Sequence, residues 1–204
     1  AVLIDCGANA ECTPEYLMQF AYLGSFYASR VLGLERPRVG LLNIGAEDSK
    51  GTDLQRETLA LLRKAGEEGH LNFIGNIEAK EAIKGGCDVI VADGYSGNIL
   101  LKTVEGAAKL LLGEMKKAFL SSTKSKLGAL LVKDSLGDVK KLLDPSEVGG
   151  TPFLGISKPV LKAHGSSDAR AIRNAVFRAV EYAQSGIIAD VEAHIDVMKV
   201  EKNG

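Results

Sequence analysis

Short apolar segments alternate with amphipathic segments along most of the chain. The apolar segments predict β-strands at Val2–Asp5, Arg38–Ile44, Leu71–Ile74 and Asp88–Ala92, and one at Pro159–Ala163 that pairs with Phe153–Ile156. Several of these are apolar at consecutive positions, which is typical of parallel strands covered on both faces. The alternation of strands and helices predicts a three-layer α/β/α fold with a mostly parallel sheet.

Helices are predicted between the strands by apolar residues that recur every three to four positions. The first begins at Thr13-Pro14, an N-cap followed by proline at the first helical position, and ends at about Leu32. The others are predicted at Leu54–Ala65, Ile99–Ser121, Ser135–Leu143 and Asp168–Gln184. The last helix carries an apolar stripe that we expect to face the core: Ile172, Ala175, Val176, Ala179, Val180 and Ala183.

The composition fits one folded α/β domain over residues 1–204, with a helical excursion at about 107–144. The chain has 204 residues, 46% of them hydrophobic and 25% charged, which disfavours a disordered tail or a coiled coil. Its formal net charge is −1, so a broad basic surface for nucleic acid is not expected. Three cysteines without CxxC spacing argue against a disulfide scaffold.

Four polar, glycine-rich turns follow predicted strands and precede helices. They span residues 5–9, 43–51, 93–98 and 164–168. Ligands of open α/β sheets collect where the carboxyl ends of parallel strands meet helix N-termini. Because these turns carry Asp, Asn, Lys, Ser and His, together they favour an anion site. The pattern alone gives equal weight to a phosphate-like ligand and to ordinary βα turns that bind nothing.

Individual residues in these turns have a functional and a structural interpretation. Lys50 is either a point charge for a phosphate or a solvated loop lysine. For Asp93, the functional interpretation is a general base or a residue that orients Lys50. The structural interpretation is a cap of the turn 94–97. Asn98 is predicted to be the N-cap of the long helix. His164 either donates to an oxyanion or binds the backbone at a strand end.

Several catalytic motifs do not occur in the sequence. It has no P-loop, no G-x-G-x-x-G and no G-x-S-x-G elbow. No His, Cys or carboxylate cluster has metal-ligand spacing, so no metal site is predicted. These absences leave one kind of chemistry open, in which the protein positions a phosphate and stabilises charge electrostatically, without a metal or a covalent nucleophile.

One local composition shift covers residues 116–141, which are dense in Lys, Leu and Ser. Within it lies an apolar tip at residues 127–132, flanked by lysines on both sides. An apolar tip between lysines is the pattern of a peripheral membrane contact. Burial of the tip in a dimer partner, or both contacts together, are the alternatives. The lysines would also attract an acidic protein.

Motifs in a fixed order cover nearly the whole chain. They lie at residues 5–9, 37–45 with Glu47 and Lys50-Gly51, 73–79, 88–94, 97–98, 101–103, 105–106, 149–150, 154–155 and 164–166. Together these segments resemble the phosphate acyltransferases of bacterial phospholipid synthesis, the PlsX family. The resemblance implies a fold similar to that of phosphotransacetylases and isocitrate dehydrogenases.

The resemblance implies transfer of a fatty acyl chain from acyl carrier protein to inorganic phosphate. The product, an acyl phosphate, would feed a downstream membrane acyltransferase. No metal or nucleotide cofactor is implied. Members of the family are typically homodimers that work in the cytoplasm, in peripheral contact with the inner face of the membrane. This raises the expectation that the apolar tip serves both contacts.

The resemblance also suggests roles for the residues of the turns. We expect Lys50 to bind phosphate or the oxyanion, Asp93 to orient Lys50 or take a proton from phosphate, and His164 to complete the catalytic group. The expected substrate-binding residues are Asn9, Gly45, Gly94, Ser96, Gly97, Asn98, Gly165, Ser166 and Ser167. The expected tip residues are Leu127, Leu130, Leu131 and Val132.

Two further functions remain open at this stage. One is a phosphotransacetylase that uses coenzyme A, and the other is a non-catalytic module that docks to a membrane and to carrier protein. Chains of the PlsX family carry a segment before the position of Ala1, with a Gly-Asn-Thr-Gly type turn that belongs to the cleft. We therefore expect the sequence to lack an amino-terminal part of the active site.

Overall fold

The computed structural model describes residues 1–144, 147–165 and 167–199, without the side chains of Lys140 and Leu142. The chain separates into two compact units. The first comprises residues 1–100, 154–159 and the described residues from 181 onward, and the second comprises 101–153 and 160–180. Each unit is described by itself.

Strands and helices alternate through the first unit, and the second unit is mostly helical with two short strands. The strands are β1 (Val2–Ile4), β2 (Arg38–Asn43), β3 (Asn72–Glu78), β4 (Val89–Val91), β5 (Gly150–Pro152) and β6 (Leu161–Ala163). The helices are α1 (Pro14–Arg30), α2 (Asp53–Glu67), α3 (Ala79–Ile83), α4 (Gly94–Leu120), α5 (Thr123–Leu131), α6 (Lys133–Leu142), α7 (Ala169–Gln184) and α8 (Ile187–Ala193).

The first unit is built on a four-stranded sheet in the order β1-β4-β2-β3, and all its neighbours are parallel. Val91 of β4 lies opposite Ile4 on one side and Leu41 on the other, and Asn43 lies opposite Glu78. All four strands therefore end at the same edge of the sheet. The loops that follow β1, β2 and β4 leave from this edge.

Helices cover both faces of this sheet. On one face, α1 and α2 pack over a core that includes Leu17, Leu62, Val39, Leu41, Val89 and Val91. On the other face, α3 packs over a smaller cluster: Ile77, Ala82, Cys87 and Ile90. The strands are apolar on both faces for this reason. The predicted three-layer α/β fold with a mostly parallel sheet is confirmed.

The N-termini of the first two helices follow their sequence signals. Thr13 precedes α1, and its side-chain oxygen accepts the N–H of Tyr16, while Pro14 occupies the first turn. This confirms the predicted start of α1. Before α2, the Gln55 side chain accepts both the N–H and the hydroxyl of Thr52, so the helix begins with a fixed cap.

The second unit contains the later part of α4, helices α5 and α6, and a two-stranded antiparallel ribbon. The ribbon pairs β6 with Gly150–Pro152, not with Phe153–Ile156 as the sequence suggested. Only Phe153 of that segment extends the pairing, through its N–H to the Val160 carbonyl oxygen at 2.9 Å. Glycine at 155 has a positive φ of 79°, which ends the extended backbone there.

Helix α7 differs from the prediction in the direction of its apolar stripe. Ile172, Val176 and Val180 are exposed, with Val176 at 60%. In the described part of the second unit, no buried core cluster forms against this stripe. The expectation that it faces a core of the same chain was therefore wrong. No helix in the described ranges combines the length and the apolar character needed to cross a membrane.

Candidate active site

Three loops leave the carboxyl edge of the sheet in the first unit. The turn 5–9 follows β1, the loop 44–51 follows β2, and residues 92–93 lead from β4 into α4. Because β4 lies between β1 and β2, the start of α4 has one of these loops on each side. This edge carries most of the catalytic and substrate-binding residues that the sequence predicted.

The turn after β1 is organised by Asp5, a carboxylate that is only 7% exposed. Its Oδ1 accepts the N–H groups of Cys6, Gly7 at 3.0 Å and Ala8 at 3.1 Å. Its Oδ2 accepts the backbone N–H of Asn9 at 2.6 Å and the Asn9 side-chain Nδ2 at 3.2 Å. Burial raises the pKa of Asp5, but these donors outweigh it and hold the pKa below its ordinary value.

Sequence reasoning did not assign a role to Asp5. The available signal was an Asp at a strand end followed by Gly and Asn, which is typical of a turn closed by the Asp side chain. The structure shows that this side chain fixes the turn. It also shows that the backbone N–H of Asn9 and one N–H of its Nδ2 donate to Asp5, so Asp5 orients the Asn9 side chain.

Asp5→Asn is expected to lower the free energy of unfolding at neutral pH by about 1–3 kcal/mol, because the new amide cannot accept all of these buried donors. The pKa of Asp5 is lower in the folded protein than its ordinary value of 3.8. The stabilisation is therefore present above that pH and is lost as the pH falls through the folded-state pKa. Urea unfolding at pH 7 and pH 3 should show a gap between the two proteins that shrinks in acid.

A matched control for this measurement is Glu57→Gln, since Glu57 is an exposed carboxylate on α2 in the same unit. It should leave the urea midpoint at pH 7 nearly unchanged. A gap for Asp5→Asn that stays constant between pH 7 and pH 3 would contradict the stabilising role of the ionised carboxylate.

Helix α4 begins at Gly94, five residues before the predicted start at Ile99. Asp93 precedes it, and its Oδ1 accepts the Ser96 N–H at 2.8 Å. Asn98 lies inside the first turns of the helix, so the prediction that it caps the helix was wrong. The structural interpretation of Asp93 as a cap is confirmed. The glycines at 94 and 97 concealed this start, since glycine is a poor helix former.

These two glycines allow backbone to pack against backbone. The Gly94 N–H donates to the Asn9 carbonyl oxygen at 3.0 Å, and a Cβ on Gly94 would lie 2.3 Å from that oxygen. A Cβ on Gly97 would lie 1.9 Å from the carbonyl oxygen of Asp5. Both glycines were predicted to bind substrate. The structure shows that they bring the turn 5–9 into contact with the start of α4.

Most of the N-terminal amides of α4 already have acceptors. Gly94 donates to Asn9, Ser96 to the Asp93 side chain, and Gly97 to the Asp93 carbonyl oxygen at 2.9 Å. An anion at this edge would therefore meet side chains more than helix amides. Asn98 is exposed, and Ser96 is half-buried.

The thiol of Cys12 lies against the same backbone. It donates to the Asn9 carbonyl oxygen at 3.4 Å. Burial raises the pKa of the Cys12 thiol, and the charges of Asp5 and Asp93 raise it further. The thiol therefore stays protonated at neutral pH, which agrees with chemistry that uses no cysteine nucleophile.

The loop after β2 carries Lys50, whose side chain is exposed. The stem of Lys50 lies beside Gly45, where a Cβ would come within 2.9 Å of the lysine Cγ. Gly45 was predicted to contact substrate, and the structure shows that it makes room for this stem. Within the described ranges, Lys50 forms no ion pair with Asp93. The two charges extend from loops on adjacent parallel strands.

The remaining predicted residues belong to the second unit. His164 and Gly165 are exposed, and Ser167 is half-buried. The Ser167 N–H donates to the His164 carbonyl oxygen at 3.0 Å, so this amide is already used. Ser166 lies outside the described residues. In the described portion of the chain, no group of His, Cys, Asp and Glu is arranged to hold a metal ion.

A family model described as "Fatty acid synthesis protein" matches residues 1–190. The chain belongs to this family. Among curated members, it is 46% identical over 194 residues to a phosphate acyltransferase of Clostridioides difficile (strain 630), which covers 95% of this chain and 56% of the relative. It is 48% identical over 184 residues to one of Brevibacillus brevis, with coverage of 90% and 54%.

A third relative, the phosphate acyltransferase of Lysinibacillus sphaericus (strain C3-41), is 46% identical over 199 residues, which covers 96% of this chain and 59% of the relative. The chain thus spans somewhat more than half the length of these members of the fatty acid synthesis protein family. The family resemblance that the motifs indicated is confirmed.

Proposed function

We propose that the protein is a phosphate acyltransferase, which moves a fatty acyl group from acyl-[acyl carrier protein] to inorganic phosphate. The acyl phosphate formed would serve phospholipid synthesis. The observation that carries this proposal is the placement of Lys50 and Asp93 just after two adjacent parallel strands, at one sheet edge of a chain that belongs to this family. The relatives named phosphate acyltransferase support it.

The reaction joins a phosphate oxygen to the thioester carbonyl carbon. The bond between that carbon and sulfur breaks, and the carrier protein leaves as a thiolate that takes up a proton. In our proposal, Lys50 neutralises the phosphate or the carbonyl oxygen as it gains negative charge. Asp93 is 8% exposed, and one of its carboxylate oxygens holds the Ser96 N–H. The other oxygen takes the proton from phosphate.

Further donors would complete the site. Asn98 has an exposed amide at the start of α4, and it would bind a phosphate oxygen. The roles expected of His164, Gly165, Ser166 and Ser167, which belong to the second unit, stay predictions. None of these steps uses a metal or a nucleotide cofactor, because positioned cations and hydrogen-bond donors suffice for attack on an activated thioester.

Hydroxylamine trapping tests the proposal on the full-length protein. Acyl-[acyl carrier protein] and phosphate should together give hydroxamate well above the background without phosphate. Acyl-coenzyme A should give much less. A preference for short acyl-coenzyme A would identify a phosphotransacetylase instead. Binding of carrier protein without any hydroxamate would identify a docking module, and either result would contradict the proposal.

We also propose that the apolar tip contacts the inner face of the cell membrane, and that the protein works in the cytoplasm as a homodimer. Leu127, Leu130 and Leu131 are 64%, 73% and 82% exposed at the end of α5, and Val132 follows them. Lysines at 124, 126 and 133 flank the tip and would attract anionic lipids. This contact would place the product near a downstream membrane acyltransferase.

The double substitution Leu130→Asp and Leu131→Asp is expected to lower binding to vesicles at least about tenfold, because burial of each leucine contributes about 1.5–3 kcal/mol. Flotation with vesicles of equal parts phosphatidylcholine and phosphatidylglycerol measures the bound fraction. The control Thr123→Asp and Ser135→Asp adds the same two charges at exposed polar positions. It should reduce binding much less. Equal binding of all three proteins would refute the membrane contact.

A further inference from the structure

The loop after β2 is held in one shape by two asparagines that the sequence did not single out. They are Asn43, the last residue of β2, and Asn76 of the neighbouring strand β3. We infer that both are positioning residues, which fix the backbone on either side of Lys50 so that its ammonium group is held ready for phosphate. This inference rests on the proposed role of Lys50 in binding phosphate.

Asn43 closes the loop at both ends with a single buried amide. Its Nδ2 donates to the Lys50 carbonyl oxygen at 3.2 Å, and its Oδ1 accepts the Ile44 N–H at 2.8 Å. The chain then turns tightly around the amide at Gly51, which has a φ of +88°. A Cβ there would lie 2.8 Å from Asn43 Oδ1. One side chain therefore ties the first residue of the loop to Lys50.

Asn76 acts on the middle of the same loop. Its Nδ2 donates to the Glu47 carbonyl oxygen at 3.0 Å. That oxygen also accepts the Lys50 N–H at 3.1 Å. The two asparagines thus fix the two carbonyl groups that determine the Lys50 backbone, namely its own and the acceptor of its N–H. Asn76 Oδ1 is buried and has no hydrogen-bond partner among the described residues, so this amide holds the Glu47 carbonyl group while one of its own acceptors stays unsatisfied.

The rest of the loop is consistent with a fixed backbone and an accessible lysine. Gly45 leaves space for the Lys50 stem, and the Arg63 guanidinium of α2 binds the Asp48 carboxylate at 2.5 Å. The Lys50 side chain itself remains exposed. A lysine on a mobile loop loses more conformational freedom when it binds an anion than a lysine on a fixed loop does. A fixed backbone reduces that loss, which is the effect expected of a preorganised site.

An amine-reactive ester modifies Lys50 unless bound phosphate protects it, and mass spectrometry measures the modified fraction. Asn43→Ala and Asn76→Ala are expected to raise about tenfold the phosphate concentration that gives this protection. In the full-length enzyme, the same variants should raise KM for phosphate and leave KM for acyl-[acyl carrier protein] unchanged. Asn72→Ala is the matched control, because Asn72 also donates to a loop carbonyl, that of Arg36 at 3.1 Å, but away from Lys50. It should behave as the unaltered protein.

The outcomes separate this inference from the proposed function. Equal protection of Lys50 in all four proteins would overturn the positioning roles and leave the role of Lys50 intact. If phosphate does not protect Lys50 even in the unaltered protein, the proposed phosphate site fails, and the inference fails with it. Because Asn43 is buried and its variant is the more prone to misfold, Asn76→Ala provides the decisive comparison.

Discussion

Lys50→Ala in the full-length protein is expected to lower the rate of acyl phosphate formation by at least about 100-fold. In the proposed reaction, the thioester carbonyl and the phosphate both carry negative charge in the transition state. The loss of one positioned cation or hydrogen-bond donor in such a site lowers the rate by about this factor. Because the Lys50 side chain is exposed and its hydrogen bonds come from the backbone, the fold should persist. Steady-state rates by hydroxylamine trapping and circular dichroism measure the two properties separately.

Two variants provide controls for this prediction. Lys84→Ala removes another exposed lysine of the first unit, one that pairs with Glu81 on α3, and it should leave the rate unchanged. Lys50→Arg keeps the charge but presents a planar guanidinium in place of a compact ammonium group, so we expect it to recover only part of the activity. A rate for Lys50→Ala within twofold of the unaltered protein would exclude Lys50 from the chemistry.

Gly97→Ala is expected to be the most destabilising of the small substitutions at this edge. The new Cβ would lie 1.9 Å from the Asp5 carbonyl oxygen, a backbone atom that side-chain rotation cannot move away. The start of α4 and the turn 5–9 would have to separate, at a cost of about 3 kcal/mol. Urea unfolding followed by circular dichroism should show a clear fall in the midpoint.

Gly106→Ala is the matched control in the same helix. A Cβ at Gly106 meets nothing within 4 Å, and alanine is the better helix former by about 1 kcal/mol. This variant should therefore be as stable as the unaltered protein or slightly more so. If Gly97→Ala and Gly106→Ala unfold at the same urea concentration, the close packing of the turn against α4 does not hold in solution.

The strands of the four-stranded sheet could be predicted from the sequence because helices cover both faces of this sheet. Val89, Ile90 and Val91 are all apolar for this reason, and they form the centre of the observed sheet. Strand β3 was predicted to end at Ile74, but it continues to Glu78. Gly75, with a φ of +96°, allows the strand to continue past an irregularity in its register with β2.

The start of α4 could not be predicted from helix propensity, because its glycines are selected by contacts with another loop. Gly94 and Gly97 pack against Asn9 and Asp5, which are far from them in sequence. The exposed stripe on α7 shows a second limit of prediction from the sequence pattern. Its periodicity correctly predicted a helix, but periodicity does not tell whether an apolar face meets the same chain or another surface.

The sequence predicted the charged residues of the candidate site but not the residues that hold its loops in place. Lys50 and Asp93 were found because charged residues after buried strands collect at one sheet edge. Asp5, Asn43 and Asn76 were missed because their importance lies in hydrogen bonds to backbone groups, which depend on the final path of the loops. A charged residue after a buried strand is visible in a single sequence, whereas a side chain that holds a loop is visible only in the folded structure.

The most direct test of the account is to follow acyl phosphate by ³¹P NMR. The full-length protein is mixed with acyl-[acyl carrier protein] and inorganic phosphate, and compared with its Lys50→Ala variant. We predict a resonance of acyl phosphate that grows with the unaltered protein and is absent over the same period with the variant, while both remain folded. Growth of this resonance at the same rate in both proteins, or in neither, would contradict the central claim.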